Sequence, residues 1–253
     1  MSTFQLYMVT DGLTIERREH TLVATVERGE DNRFTPAMIA ELGDVLERAA
    51  HEPELRFLRL RARGRTFCLG REDPGVGDRS DPDAVRAVAA SIVKLNELCQ
   101  TGPLVVVAEV QGDAAGFGAG LVGNADVAVA AAGARLAFPE IRAGYAPSVV
   151  MSWLAHVVPR KRAFDMVGTG RWVEAKQAAW DGLLTEVVPE DSLETRVDER
   201  IAELAALPAV ALRDVKAFLA STRGMVPAAA AAAAVDALVV GVLRASEATG
   251  ERG

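Results

Sequence analysis

Three short stretches of this 253-residue sequence carry groups that could do chemistry. In the first, Gly112, Ala114, Ala115, Gly116, Gly118 and Ala119 leave almost no side-chain bulk just before Gly120-Leu121-Val122, where a helix is expected to start. The first turn of a helix has backbone N–H groups without intrahelical partners, and its dipole favours negative charge. Small residues let a ligand atom approach that backbone. Such a turn can hold an anion, or an oxygen that becomes anionic only in a transition state. Close packing of helix on sheet needs the same composition, and the stretch alone does not separate the two.

The second stretch is Phe138-Pro139-Glu140-Ile141, one carboxylate among apolar neighbours. Partial desolvation would raise its pKa toward a range useful to a general base, although a solvated loop acid is the plainer reading. The third, Gly64 to Glu72, reads as a strand end running into a glycine-broken turn. Asp113, Glu72 and Glu109 compete for the role of base, Glu109 could equally pair with Arg71, and Asp126 is expected to cap a strand end. Arg71 could contact a polar substrate or lie at the surface. Tyr145 is an acid or orienting group if it is not an ordinary exposed or core tyrosine.

The surrounding pattern supplies elements to position these groups. Leu104–Val107 reads as a strand buried on both faces, with Glu109 and Gln111 at its far end. Thr21–Val26 alternates as a strand that Leu13–Glu16 can join through a hairpin. Thr35 as N-cap and Pro36 open a helix carrying Met38, Ile39, Leu42, Val45 and Leu46 on one face. Leu55–Leu60 is a further strand, 73–82 a mobile loop and Ala84–Leu98 a helix. Strands follow at Asp126–Ala130, Arg135–Ala137 and Leu184–Val188, with helices at 148–157, 160–167 and 174–180. From Ser192 onward the pattern is helical, the alanine run 228–234 included. This is an α/β core with an α-helical C-terminal part and no linker that would divide it.

A net charge of −7 with interspersed signs argues against a nucleic-acid partner. His20, His51 and His156 lie far apart, so no metal site is expected. No apolar run reaches the roughly 18–20 residues of a membrane span, and the N-terminus lacks the pattern of a secretory signal. Cys68 and Cys99 are expected as buried free thiols in a reducing cytoplasm.

Five segments together resemble the crotonase (enoyl-CoA hydratase/isomerase) superfamily. Phe67-Cys68-Leu69-Gly70-Arg71-Glu72 looks like its F-C/S-A-G-x-D turn, and Gly112 to Gly118 resembles its G-x-A-x-G-G-G turn. Asn124 to Ala130 is similar to its C-D-I-x-I-A strand, Phe138 to Gly144 to its F-x-x-P-E-x-x-x-G segment, and Asn32 to Thr35 to its early N-A-L-S/T. The likeness runs from about residue 12 to 245. It implies a spiral of ββα units over residues 1–190 and a C-terminal helical trimerisation region over 191–253, assembled as a homotrimer or hexamer. It also implies an acyl-CoA thioester substrate, with coenzyme A as part of the substrate and no separate cofactor. The backbone N–H groups of Arg71 and Phe117 would form an oxyanion hole, with Cys68, Leu69, Gly70, Gly116, Gly120 and Tyr145 around the substrate.

The family's hydratases use two glutamates, at the positions of Gly120 and Glu140 here; only Glu140 is present. Its isomerases keep the glutamate of the P-E segment alone, and Ala146-Pro147 also looks like the isomerase version. Moving a proton between two carbons needs one base that takes and returns it, so isomerisation leads. Hydration, decarboxylation, hydrolysis and a non-catalytic acyl-CoA-binding role stay open, as does weaker nucleotide contact if the C-terminal helix is short. Gly118 to Gly123 also matches the dinucleotide-binding pattern G-x-G-x-x-G, but it stands seven residues beyond the strand that should lead straight into it.

Overall fold

The computed structural model describes residues 5–72 and 81–249. Strands β1 (Gln5–Thr10), β2 (Leu13–Arg18) and β3 (Thr21–Val26) form an antiparallel meander. β1 has no counterpart in the sequence reading. Helix α1 (Pro36–Ala49) opens where expected: the Met38 N–H donates to the Thr35 hydroxyl at 3.1 Å. Residues 73–80 of the expected mobile loop lie outside the described residues.

Three similar units follow. A long strand is succeeded by a three-residue strand and then a helix: β4 (Phe57–Ala62), β5 (Thr66–Cys68) and α2 (Pro82–Thr101); β6 (Val105–Val110), β7 (Asp113–Ala115) and α3 (Phe117–Gly123); β8 (Val127–Ala131), β9 (Arg135–Ala137) and, after a 3-10 turn at Pro139–Ala143, α4 (Ser148–Val157). Next come α5 (Arg160–Thr169), β10 (Val173–Glu174), α6 (Ala175–Trp180) and β11 (Glu186–Val188). The long strands join a seven-stranded sheet in the order β1-β2-β3-β4-β6-β8-β11, and the short ones a second sheet in the order β10-β9-β7-β5. This is the expected ββα repeat. β7 went unread in the sequence because three small residues show no alternation.

The large sheet is covered on both faces, so its central strands β4 and β6 are buried throughout. Val106, Ala108 and Val110 belong to the main core with α1 and α3, whereas Val105 and Val107 pack against Leu193, Val197 and Ile201 of α7 (Leu193–Ala205). Those three residues recur every fourth position, one stripe of a helix. Buried charges are paired on that second face: Arg59 reaches Glu109 and, at 2.6 Å, Asp198, and Arg61 reaches Glu194 at 2.9 Å. Glu109 therefore pairs with Arg59 and Arg61, not with Arg71.

Helix α8 (Ala209–Ser221) is tied to the core by buried Lys216, whose ammonium donates to the Cys99 and Leu104 carbonyls and to Asp126 at 2.5–2.6 Å. Helix α9 (Pro227–Thr249) lies exposed. Its segment Pro227–Glu247 is long and apolar enough by composition to cross a membrane. Asp236 and Arg244 lie within it, so it is not an uninterrupted apolar run.

The two sheets and α3 meet through glycine. A methyl group on Gly112 would overlap the Arg65 carbonyl oxygen, and one on Gly118 would overlap the Cys68 carbonyl oxygen and lie 2.7 Å from the Cys68 Cβ. Both obstacles include backbone, so neither can swing aside. We expect Gly118→Ala to lower the unfolding free energy by about 2 kcal/mol or more, the cost of overpacking a rigid contact, measured by urea titration. An unchanged midpoint would show that α3 and β5 can separate without cost.

Candidate active site

The ends of β5 and β7, the start of α3, the turn after β9 and one face of α2 enclose a cavity of about 560 Å³. Gly70, in the left-handed region at φ +108°, turns the chain out of β5. Arg71 then forms an isolated parallel bridge with Phe34. In that bridge the Phe34 N–H donates to the Gly70 carbonyl at 3.1 Å and the Glu72 N–H to the Phe34 carbonyl at 2.7 Å. A parallel ladder alternates the direction of successive amides, so the Arg71 N–H points away from Phe34. It donates to no backbone acceptor among the described residues.

Gly116 makes the second turn at φ +53°, ψ −117°. Its N–H donates to the Ala137 carbonyl at 2.9 Å, and the first helical bond of α3 runs from the Gly120 N–H to the Gly116 carbonyl at 2.9 Å. The N–H groups of Phe117, Gly118 and Ala119 consequently have no intrahelical partner. The helix thus starts three residues earlier than expected, and Gly120 sits in its second turn, on the cavity wall. A Cβ at Gly120 would meet nothing within 4 Å. The Phe117 ring also lines the cavity and leans on buried Phe34, ring centres 5.1 Å apart.

Glu140 is carried by the Pro139–Ala143 turn, which Gly144 ends at φ +87°. Its Oε1 would lie 3.2 Å from a Cβ on Gly116, so the carboxylate faces the start of α3. Its Oε2 is buried without a hydrogen-bond partner. Burial pushes the Glu140 carboxyl above the usual range, and its own backbone N–H and the Arg71 charge offset that in part. The apolar cover comes from the Phe138 side, since Ile141 is exposed.

Leu69, Gly70, Arg71, Gly116, Phe117, Gly120, Glu140 and Tyr145 all border the cavity, with Tyr145 half-exposed. Cys68 does not: its thiol is buried, donates to the Gly70 carbonyl at 3.1 Å, and is pushed up to about 12 by burial. It acts through packing alone. Of the competing acids, Asp113 is held by Arg135 at 2.6 Å and Asp126 by Lys216, away from the cavity. Glu72 borders the cavity and is paired with Arg28 at 2.6 Å. Sequence reasoning missed Asn96 and Trp153, both buried on the cavity wall. The signal for Asn96 was present as a polar break in the helical stripe Val85, Val88, Ala89, Ile92. The G-x-G-x-x-G match lies inside α3, with β7 between it and β6, which is not a dinucleotide turn. No group of three metal-ligating side chains occurs among the described residues.

The comparisons agree with this geometry. The enoyl-CoA hydratase/isomerase family model matches residues 16–244. The chain is 33% identical over 192 residues to enoyl-CoA hydratase domain-containing protein 3, mitochondrial, of Xenopus laevis, covering 75% of this chain and 65% of that protein's length. It is 34% identical over 225 residues to a probable enoyl-CoA hydratase of Rhodobacter capsulatus, covering 88% and 83%. The crystal structure of an enoyl-CoA hydratase from Mycobacterium smegmatis superposes with a TM-score of 0.84 at 28% identity, covering 92% of this chain and 91% of that one. With two glycine turns bordering one cavity, and a family match over nearly its whole length, the chain belongs to the enoyl-CoA hydratase/isomerase (crotonase) family.

Proposed function

We propose that this protein isomerises the double bond of an enoyl-CoA thioester with Glu140 as the single general base. The observation that carries the reading is one half-buried carboxylate, with an unpartnered buried oxygen, facing the start of α3, and no second carboxylate at Gly120. The thioester carbonyl oxygen is received by the Arg71 and Phe117 N–H groups. Glu140 takes the proton from the carbon beside that carbonyl, and the electron pair moves onto the oxygen as an enolate. The two amides hold the enolate more tightly than the neutral thioester. The proton then returns from Glu140 at the far end of the conjugated system, so nothing is consumed. A donor of this kind contributes about 3–4 kcal/mol to lowering the barrier.

The base works only when ionised, and burial raises its pKa, so kcat/KM should rise with pH through an apparent pKa above the ordinary carboxylate range. Glu140→Gln should lower turnover of a 3-enoyl-CoA by about 10²–10⁴-fold while Kd moves little; full activity in that variant would remove Glu140 from the mechanism. The stability effect has the opposite sign. A carboxyl whose folded pKa is raised binds its proton more tightly when folded, so stability falls as pH rises through that window. The Gln variant should therefore melt above the wild type at neutral pH, and the gain should fade on acidification.

Hydration is the second reading, favoured by the open space beside Gly120. Gly120→Glu would start a second carboxylate side chain there from a Cβ that meets nothing within 4 Å, and replacing a helical glycine favours folding by about 0.5–1 kcal/mol. Water addition to a 2-enoyl-CoA should rise at least about tenfold in that variant if the scaffold supports a two-carboxylate site. No gain would mean that the cavity does not hold a water on that side.

We infer as well that α8 and α9 pack against other copies of this chain, since Val235, Leu238, Val239, Val242 and Leu243 are exposed on one helix. Sedimentation equilibrium should give three or six chain masses. A monomer at micromolar concentration would overturn this.

A further inference from the structure

We propose that the deep end of the cavity selects acyl chains carrying an uncharged oxygen, a hydroxyl or keto group, at their distal end, and that the Asn96 side-chain amide makes this selection. The inference rests on the acyl-CoA reading above and names the class of acyl chain.

Helix α2 lines the cavity with Val85, Val88, Ala89, Ile92 and Asn96, one stripe at three- and four-residue spacing. Exposure falls along it from 47% at Val85, through the half-buried middle, to 8% at Asn96. The stripe therefore runs from an exposed end to a buried end of the cavity wall, and an amide stands where the next apolar residue belongs. From Val85 to Asn96 the rise is about 16 Å, comparable to an extended acyl chain of medium length.

Asn96 has no hydrogen bond among the described residues, unlike the other buried asparagines. Asn32 accepts from the Arg28 N–H and donates to the Arg63 and Thr66 carbonyls, each at 2.8 Å. Asn124 donates to the Gly120 carbonyl at 2.7 Å. The residue is 8% exposed but its amide atoms are not among the buried, unpartnered ones, so they keep water contact and, on a cavity wall with no protein partner, are available to whatever fills that cavity. Once the thioester oxygen is held at Arg71 and Phe117, the coenzyme leaves by the open mouth and the acyl chain points inward. A plain hydrocarbon end would strip water from the amide and return nothing. An oxygen restores the bond. The amide both donates and accepts and carries no charge, which suits a hydroxyl or a ketone.

The test is calorimetric binding of unreactive saturated acyl-CoA pairs, from butanoyl to decanoyl, that differ only in a terminal methyl or hydroxyl, with keto analogues at the best length. Wild-type protein should bind the hydroxylated member at least about tenfold more tightly at one length, because a site built for a polar group rejects the analogue lacking it. Asn96→Leu should abolish or reverse that preference. Asn96→Asp, close in size and still an acceptor, should keep the hydroxyl ligand and lose the keto one, and it decides the matter with the wild type if the leucine variant does not fold. Equal affinities within every pair for the wild type, or the same preference in Asn96→Leu, would overturn the role of Asn96 and leave the acyl-CoA reading standing. Failure of every acyl-CoA to bind would overturn both.

Discussion

The architecture turns on backbone touching backbone where α3 crosses the end of β5. The Cys68 carbonyl lies where any side chain at residue 118 would have to begin, and the Arg65 carbonyl does the same at residue 112. These contacts bring two loops from successive ββα units so close that both border one cavity. A hydrogen-bond donor on a side chain would need its own rotamers fixed; one on the main chain is fixed by the fold. The stability of the large sheet thus becomes the rigidity of the site.

Around that contact the side chains divide the work. Phe117 turns its ring onto Phe34 and leaves its amide at the helix start. Cys68 buries its thiol against the Gly70 carbonyl and gives up reactivity for packing. Glu140 is the member left unsatisfied, with one oxygen buried and unpartnered. Strain of this kind is retained where function needs it, and the paired charges behind the sheet show the contrast. Arg59, Arg61 and Glu109 are more deeply buried, yet each finds an opposite charge, with exposed Asp198 and Glu194 completing the set.

Much of this was legible in the residues themselves. The Thr35–Pro36 cap, β9 at Arg135–Ala137 and α4 at Ser148–Val157 follow from local chemistry, and they appear where that chemistry puts them. The two glycine turns and Glu140 stood out as candidates, but their own residues left close packing and a solvated loop acid open, and the resemblance to the crotonase family singled them out. What was not legible depends on distant chain. The partner of Glu109 is set by a strand fifty residues earlier and a helix much later. The start of α3 at Phe117 is set by the bond from Gly116 to Ala137. Asn96 left a polar break in the stripe of α2, but that it borders a cavity depends on segments far along the chain.

Asn32 holds a loop shut with three hydrogen bonds, to Arg28, Arg63 and Thr66, and stands itself at φ +50°. Two residues on, Phe34 bonds both sides of Arg71 and thereby sets which way that peptide faces. The direction of the Arg71 peptide is therefore governed by an N-terminal segment whose asparagine does not border the cavity. Sequence drift there would reorient a peptide on the cavity wall while every residue lining that wall stays the same.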